Sequence, residues 1–387
     1  MNSKQFETAK MCLKVVTPIN ISDGIVLGAK DYLYDSRRQK VFFLNLHQWH
    51  MFIYKHMLLE KYESYLANFR DKRSLLEWLR MQGYDIDDVR TVITSEAQAT
   101  VNLMDNEKKK TLNDINRHIQ QPDGSLYVPG SSIKGVFRTA ILYSLLQKRQ
   151  DIKVKYWRQI QEKISSNYFK PYRDFNKLIS DLENELLHTL RLVDGDIHSN
   201  NAVYSAMRGL QVSDTYASRN MQTAILQKVD GGFDKFGKAS PKKLPIFREC
   251  MLPKAELFFD VKIEKAVMST IGINTVDDLL KATHSFFAAV TDLLQQVFEK
   301  EYQEAFQGVA AGNMFLGGNT GFLSKTLLAM LAPDKDTAKN TIKVLLDKSF
   351  KNHKHLLRDK IIAPRTLKCT NYNGKLMLMG VAEVRKV

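Results

Sequence analysis

The stretch Val128-Pro129-Gly130-Ser131-Ser132-Ile133-Lys134-Gly135-Val136-Phe137-Arg138 carries the residues whose types and spacing most directly suggest chemistry. A Pro-Gly turn ends an extended segment, and a serine placed there is suited to cap a following helix. Ile133, Val136, Phe137, Ala140, Ile141 and Leu145 make one apolar stripe of helical period, which would bury that helix against a sheet and fix its start. Free N–H groups at such a start, the positive end of the helix dipole, the hydroxyls of Ser131 and Ser132 and the one-turn pair Lys134 and Arg138 together suit an anion, phosphate above all. A capped helix with two solvated cations accounts for the same residues equally well.

A second glycine-rich turn, Gly317-Gly318-Asn319-Thr320-Gly321, runs into Phe322, Leu323, Thr326, Leu327, Met330 and Leu331, a pattern that predicts an amphipathic helix. A nucleotide-binding P-loop needs lysine directly after its last glycine, whereas Phe322, Leu323 and Ser324 separate Gly321 from Lys325, so ATP hydrolysis is excluded from this motif. Gly317, Gly318 and Gly321 would instead let a backbone approach closely, either to RNA together with Lys325 or to a packed helix. A turn-rich basic excursion from Asp230 to Phe247, with Lys238, Lys242 and Lys243, reads as a mobile arm. Between Lys339 and Lys360 a helical pattern places Lys343, Lys351, Lys354 and Arg358 on one face, either a backbone-tracking stripe or a solvated outer surface.

Catalytic and metal sites find little support. His47 with His50 and His353 with His355 lack the carboxylate and third ligand of a metal pattern, and Cys12, Cys250 and Cys369 are too far apart for a zinc knuckle or disulfide framework. No metal and no cofactor is expected, and the cysteines read as small core hydrophobes. Asp194-Gly195-Asp196 with His198 is the one acidic cluster worth testing, although Asp-Gly-Asp is more often a turn.

The elements that must hold these residues alternate in type. Met11 to Val16, Tyr32 to Tyr34, Val41 to Leu44, Thr223 to Val229, Ala255 to Ile263 and Leu376 to Val384 predict strands. Gln48 to Gly83 predicts a helical insertion that continues through Tyr84 to Arg117, with Lys108 to Lys110 as a solvated run; Tyr143 to Leu192 and Val276 to Tyr302 are also mostly helical. Strands interleaved with helices, without regular βαβ spacing, favour an α+β class with helices on one face of a sheet.

The 387 residues exceed the usual single-domain length, and a boundary near Asn220 divides them into 1–220 and 221–387. Lysine and arginine number 57 against 42 acidic residues, a net charge of +15 spread over both parts, which suits a polyanion crossing a folded surface, though a protein that is merely basic fits as well. No stretch is apolar enough to span a membrane and the first residues lack a secretory pattern, so a cytoplasmic location is the default expectation.

Thr17-Pro18-Ile19-Asn20-Ile21, the Pro129-Gly130-Ser131-Ser132 motif and the Gly317 to Thr326 loop, taken in that order, resemble the RAMP superfamily proteins of type III-A CRISPR effector complexes. The Tyr32 to Asp35 strand, the helical insertions and the Gly-Phe-Leu-Ser-Lys-Thr ending look most like the family of the fifth Csm subunit. That resemblance implies two linked ferredoxin-like (RRM-like) units with a thumb-like hairpin at Asp230 to Phe247. It also implies binding of the 3′ region of a CRISPR RNA, a cap on the filament of backbone RAMP subunits, contact with the small helical subunit, and a part in guide maturation beside a host trimming nuclease. Many relatives have histidine and glycine where this chain has Asn20 and Ser22, so a histidine-based ribonuclease role is not carried to that position. A non-catalytic RNA-binding subunit is therefore the leading expectation, with Ser131, Ser132, Lys134 and Arg138 holding the guide backbone. A metal-independent guide-processing endoribonuclease is the rival, and a purely protein-binding cap the third class.

Overall fold

The computed structural model describes residues 5–100, 112, 114–166, 168–191, 201–217 and 221–387. Lys108 to Lys110, the Asp194 to His198 cluster and Asn220 lie outside the described residues.

Strict alternation builds the first sheet. Met11, Leu13 and Val15 of Phe6–Val15 and Leu257, Phe259, Val261 and Ile263 of Glu256–Glu264 all point to one buried face. These two strands pair antiparallel at the centre, in the order Met314–Phe315, Val381–Lys386, Phe6–Val15, Glu256–Glu264, Leu210–Val212. Tyr216–Ala217 adds a short pairing to Glu256–Glu264. Helix Gly130–Lys148 falls between the first strand and Leu210–Val212 in the chain, and helix Val276–Phe298 follows Glu256–Glu264. This is the split βαβ order of one ferredoxin-like unit. Ile133, Phe137, Ala140 and Ile141 of the first helix and Leu279, Phe286 and Val290 of the second share one core with the sheet's buried face. Each fully buried Ile or Phe there contributes roughly 1.5–3 kcal/mol by leaving water.

The second sheet follows another order: Ser22–Leu27, Ile115–His118, Lys242–Met251, Thr223–Gly231, Ile93–Thr100, Lys40–Leu44, Leu33–Asp35, with Leu367–Tyr372 pairing Thr223–Gly231 and Lys375–Leu378. Two of its neighbouring pairs are parallel, which a ferredoxin-like sheet does not contain, so a second unit of that kind is not confirmed. Both sheets draw strands from both sides of residue 220. The helical insertion Leu46–Lys55, Leu59–Ala67 and Leu75–Met81 packs its own core around Trp49, Tyr62, Trp78 and Leu79. Among the described residues no helix is long and apolar enough to cross a membrane.

Several elements differ from the sequence expectation. Within Tyr84 to Arg117, Ile93–Thr100 and Ile115–His118 are strands; in the first, Ala97 and Ala99 turn to a buried face between exposed Glu96 and Gln98, a weak apolar alternation. After the glycine loop only single turns form, Leu323–Lys325 and Leu328–Leu331. Helix Lys335–Ser349 stops at Phe350, and Lys354 takes φ +52°, so Lys351, Lys354 and Arg358 do not continue its face. The terminal strand is broken into Lys375–Leu378 and Val381–Lys386 by the turn at Gly380.

Gly130 opens the motif helix against a backbone: a Cβ there would stand 2.4 Å from the Val212 carbonyl oxygen and 2.6 Å from that of Ser213. Gly135, one turn on, has nothing within 4 Å of a Cβ position. Gly130→Ala is expected to lose about 2 kcal/mol and melt several degrees lower. Gly135→Ala is expected to hold or gain up to about 1 kcal/mol, as alanine replaces glycine inside a helix. Thermal denaturation of the two variants checks the contrast, and equal melting would contradict it.

Candidate nucleic-acid interface

Thr17-Pro18-Ile19-Asn20-Ile21 leaves the first sheet and stitches it to the second. Val381 donates its N–H to Thr17 Oγ1 (2.9 Å), Gly380 donates to the Pro18 carbonyl (2.9 Å), and Ile19 exchanges both backbone bonds with Met251. Asn20, fully buried, then links three elements. Its Nδ2 donates to the Glu249 carbonyl (2.8 Å), its Oδ1 accepts from Arg248 Nη1 (3.0 Å), and its carbonyl accepts the Gly318 N–H (2.7 Å). Gly317 makes that approach possible: at φ +88° a Cβ would sit 2.4 Å from the Asn20 carbonyl oxygen.

Arg248 therefore lies against the glycine loop, its Nη1 3.0 Å from where a Gly318 Cβ would be. No ion pair joins it to a carboxylate among the described residues, and its buried Nε has no hydrogen-bond partner. Desolvation lowers its pKa below that of an ordinary guanidinium, although an arginine stays charged. Lys325 has no carboxylate partner among the described residues either, and its pKa is lowered by partial burial and then by the Arg248 charge. Beside them Asp230 bridges Lys368 (2.9 Å) and Lys228 (3.7 Å), and desolvation with the Lys368 and Arg248 charges lowers the Lys228 pKa. A cation that is partly stripped of water and lacks a counter-ion is stabilised by an arriving phosphate, which supplies a charge-assisted hydrogen bond.

A groove of about 370 Å³ brings the two sequence motifs together: Ser132 and Gly135 from the helix, Gly317, Gly318 and Lys325 from the loop, and Ser22. The other expected residues are placed differently. Ser131 is exposed at the first helical turn but no serine side chain caps the helix; its first N–H, that of Gly130, donates to Asp214 Oδ1 at 2.7 Å. Lys134 donates to the Leu210 carbonyl (2.6 Å), with its pKa lowered by burial, and Arg138 faces Glu183 at 3.5 Å. Both lie on a helix face that does not line the groove. Gly321 sits next to the Lys368 side chain. Lys238, Lys242 and Lys243 belong to the hairpin Thr223–Gly231 and Lys242–Met251 and its turn. That turn is docked on the protein body: Phe233 stacks on Phe298 (5.3 Å), and the Ser240 N–H donates to the Tyr302 hydroxyl (3.1 Å). Asn20, Arg248, Lys228 and Lys368 complete the cluster and were not among the expected site residues.

The Asn20 corner rests on a second buried network. His118, fully buried, accepts the Ile21 N–H at Nδ1 (3.2 Å), has Nε2 3.2 Å from the Tyr127 carbonyl oxygen, and gives its own N–H to Glu249 Oε2 (3.1 Å). Burial lowers the His118 pKa to about 4 and raises that of Glu249.

A grooved α+β protein with a glycine loop meeting a Pro-Gly-Ser-Ser helix defines a class, and comparison with known proteins agrees: the RAMP superfamily model matches residues 12–322, and the chain belongs to that superfamily. More particularly, it is similar to Csm5 proteins. A "CRISPR system Cms protein Csm5" of Mycobacterium tuberculosis is 25% identical across 98% of this chain and 97% of the relative. One of Enterococcus italicus is 22% identical over 88% and 85%. In fold the chain resembles a subunit of a Csm–crRNA–target RNA ternary complex of a type III-A CRISPR-Cas system (TM-score 0.68, 17% identity, 98% of this chain and all of the other). It also resembles T. onnurineus Csm5 (TM-score 0.61, 18% identity, 96% and 99% covered).

His118 makes the corner sensitive to acid. Its folded pKa lies below the ordinary value of 6.5, so the unfolded chain binds the proton first, and stability is lost as pH falls from 6.5 towards 4. The raised Glu249 pKa acts with the opposite sign, its cost growing as pH rises above the usual carboxylate range of about 4.3. Between pH 6.5 and 5, His118 should remove on the order of 2 kcal/mol. Denaturant titrations across that window are expected to show the slope in the native chain and a flatter one in His118→Asn, which keeps an acceptor for the Ile21 N–H.

Proposed function

We propose that this chain is a non-catalytic RNA-binding subunit of a type III-A CRISPR (Csm) effector complex. It holds the 3′ region of the CRISPR RNA, caps the filament of backbone RAMP subunits, contacts the small helical subunit and supports guide maturation by presenting RNA to a trimming nuclease. The observation that carries this reading is the pair of desolvated cations without carboxylate partners, Arg248 and Lys325, beside the backbone of Gly317 and Gly318. Such a groove grips a phosphodiester backbone without reading base sequence, as a subunit serving many guides requires. The Csm5 relatives and the Csm–crRNA–target RNA complex that the fold resembles support the same assignment.

Backbone binding of this kind releases counterions, so each phosphate contact steepens the dependence of affinity on salt. Arg248→Gln and Lys325→Gln are each expected to weaken binding of a single-stranded RNA and to lower the slope of log affinity against log salt by about 0.7. Arg138→Gln, on a helix face away from the groove and paired with Glu183, is expected to change the slope less. Filter binding at several salt concentrations measures all three, and unchanged slopes for Arg248→Gln and Lys325→Gln would refute the groove. The endoribonuclease reading predicts instead that the purified chain cleaves guide RNA without metal and that one His or Asp substitution abolishes it. The protein-only cap predicts assembly without RNA crosslinks to this chain.

A further inference from the structure

At the Lys228–Asp230–Lys368 bridge lies a larger cleft of about 880 Å³, to which the Gly317 to Thr326 segment contributes Phe322 and the motif helix nothing. One wall is the turn end of the hairpin, with Phe233, Lys242 and Ile246; the other is the segment from Phe350 to Lys368. This second wall is rigid at its base. Asp359, fully buried, has Oδ2 2.7 Å from His355 Nδ1, and its Oδ1 accepts from Arg365 Nη1 at 2.7 Å.

Part of the cleft's positive charge is uncommitted. Lys242, Arg358 and Lys360 line it and are exposed, with no carboxylate partner among the described residues. The two acidic residues of the lining are already engaged: Asp230 holds Lys228 and Lys368, and Asp234 Oδ1 accepts the N–H groups of Phe236 and Lys238. Its rim also presents a ring. Phe350 is 52% exposed and stacks on His353, with centroids 5.5 Å apart and planes 16° from parallel. Free cations beside an exposed stacked ring match what single-stranded nucleic acid needs, phosphate neutralisation alternating with a platform for a base. An acidic peptide would use the cations and leave the ring without a flat partner.

We propose that this cleft is a second RNA subsite, in which nucleotides leaving the groove stack a base on the Phe350–His353 pair and set their phosphates against Lys242, Arg358 and Lys360. The strand path runs from Arg248 and Lys325, over the Lys228–Asp230–Lys368 bridge, into the cleft. This rests on the groove holding RNA, and the two sites are separable by experiment.

The test uses the full chain and a single-stranded oligoribonucleotide carrying 4-thiouridine at successive positions, with crosslinked peptides mapped after irradiation. Nucleotides adjacent to those that crosslink at the groove are expected to crosslink within residues 350–368. Phe350→Ala should cut these cleft crosslinks about tenfold, the scale of one base–aromatic stack, while sparing groove crosslinks and the melting temperature; Phe350→Tyr should restore them. Arg358→Gln with Lys360→Gln should lower the salt slope by about 1.4. Groove crosslinks without any in the cleft, or cleft crosslinks indifferent to Phe350→Ala, would overturn the subsite and leave the groove standing. Displacement of cleft crosslinks by polyglutamate of matched charge as readily as by unlabelled RNA would also overturn it, in favour of an acidic protein partner. Absence of crosslinks everywhere would overturn the RNA-binding reading and the subsite together.

Discussion

The carboxamide of Asn20 is fully buried, so both of its ends must find partners inside the fold. One end takes the Glu249 carbonyl of the second sheet and the other takes the Arg248 guanidinium, while the backbone of the same residue receives Gly318. Two sheets and a loop from three distant parts of the chain are thereby fixed at one point. Gly317, compelled by that contact to be glycine, and Arg248, aimed by it at the loop, are consequences of the same constraint. His118 supports it from below by holding the next residue, Ile21.

The free positive charge beside the groove follows from what the corner leaves unpaired. Arg248 spends one donor on a neutral amide and none on a carboxylate among the described residues, and Lys325 lies close enough to be depressed by its charge. Repulsion between neighbouring cations is a cost the folded chain carries alone and a bound polyanion removes. The same logic separates these residues from Lys134 and Arg138, whose needs are met internally by the Leu210 carbonyl and by Glu183. At the start of the motif helix Asp214 occupies the place an external anion would take.

Much of this arrangement was legible in the sequence where the signal is local. The stripe Ile133, Phe137, Ala140 and Ile141 has a helical period and is buried as read, and Gly317, Gly318 and Lys325 were singled out by type and spacing. The face of the motif helix was also readable, since Ser132, Gly135, Val136 and Thr139 fall at i, i+3, i+4 and i+7 and share the groove, whereas Lys134 and Arg138 lie on another side. Charge drew the reading to Lys134 and Arg138, which the structure places outside the groove lining. The Asn20 to Arg248 contact spans 228 positions and leaves no local trace, and Lys228 and Lys368 meet only because Thr223–Gly231 and Leu367–Tyr372 pair in register. The contacts of the arm's turn left no local trace for a similar reason: Phe233 and Ser240 look like loop residues until Phe298 and Tyr302 are brought under them.

The central claim is that Asn20 and the glycine loop position Arg248 and Lys325 to hold an RNA backbone. A structure of the chain with a single-stranded RNA tests it most directly. The account predicts a phosphate within hydrogen-bond distance of both the Arg248 guanidinium and the Lys325 ammonium, in the groove bounded by Gly317, Gly318 and Ser132. A strand held on the Lys134 and Arg138 face of the motif helix, with the groove free of phosphate, would contradict it.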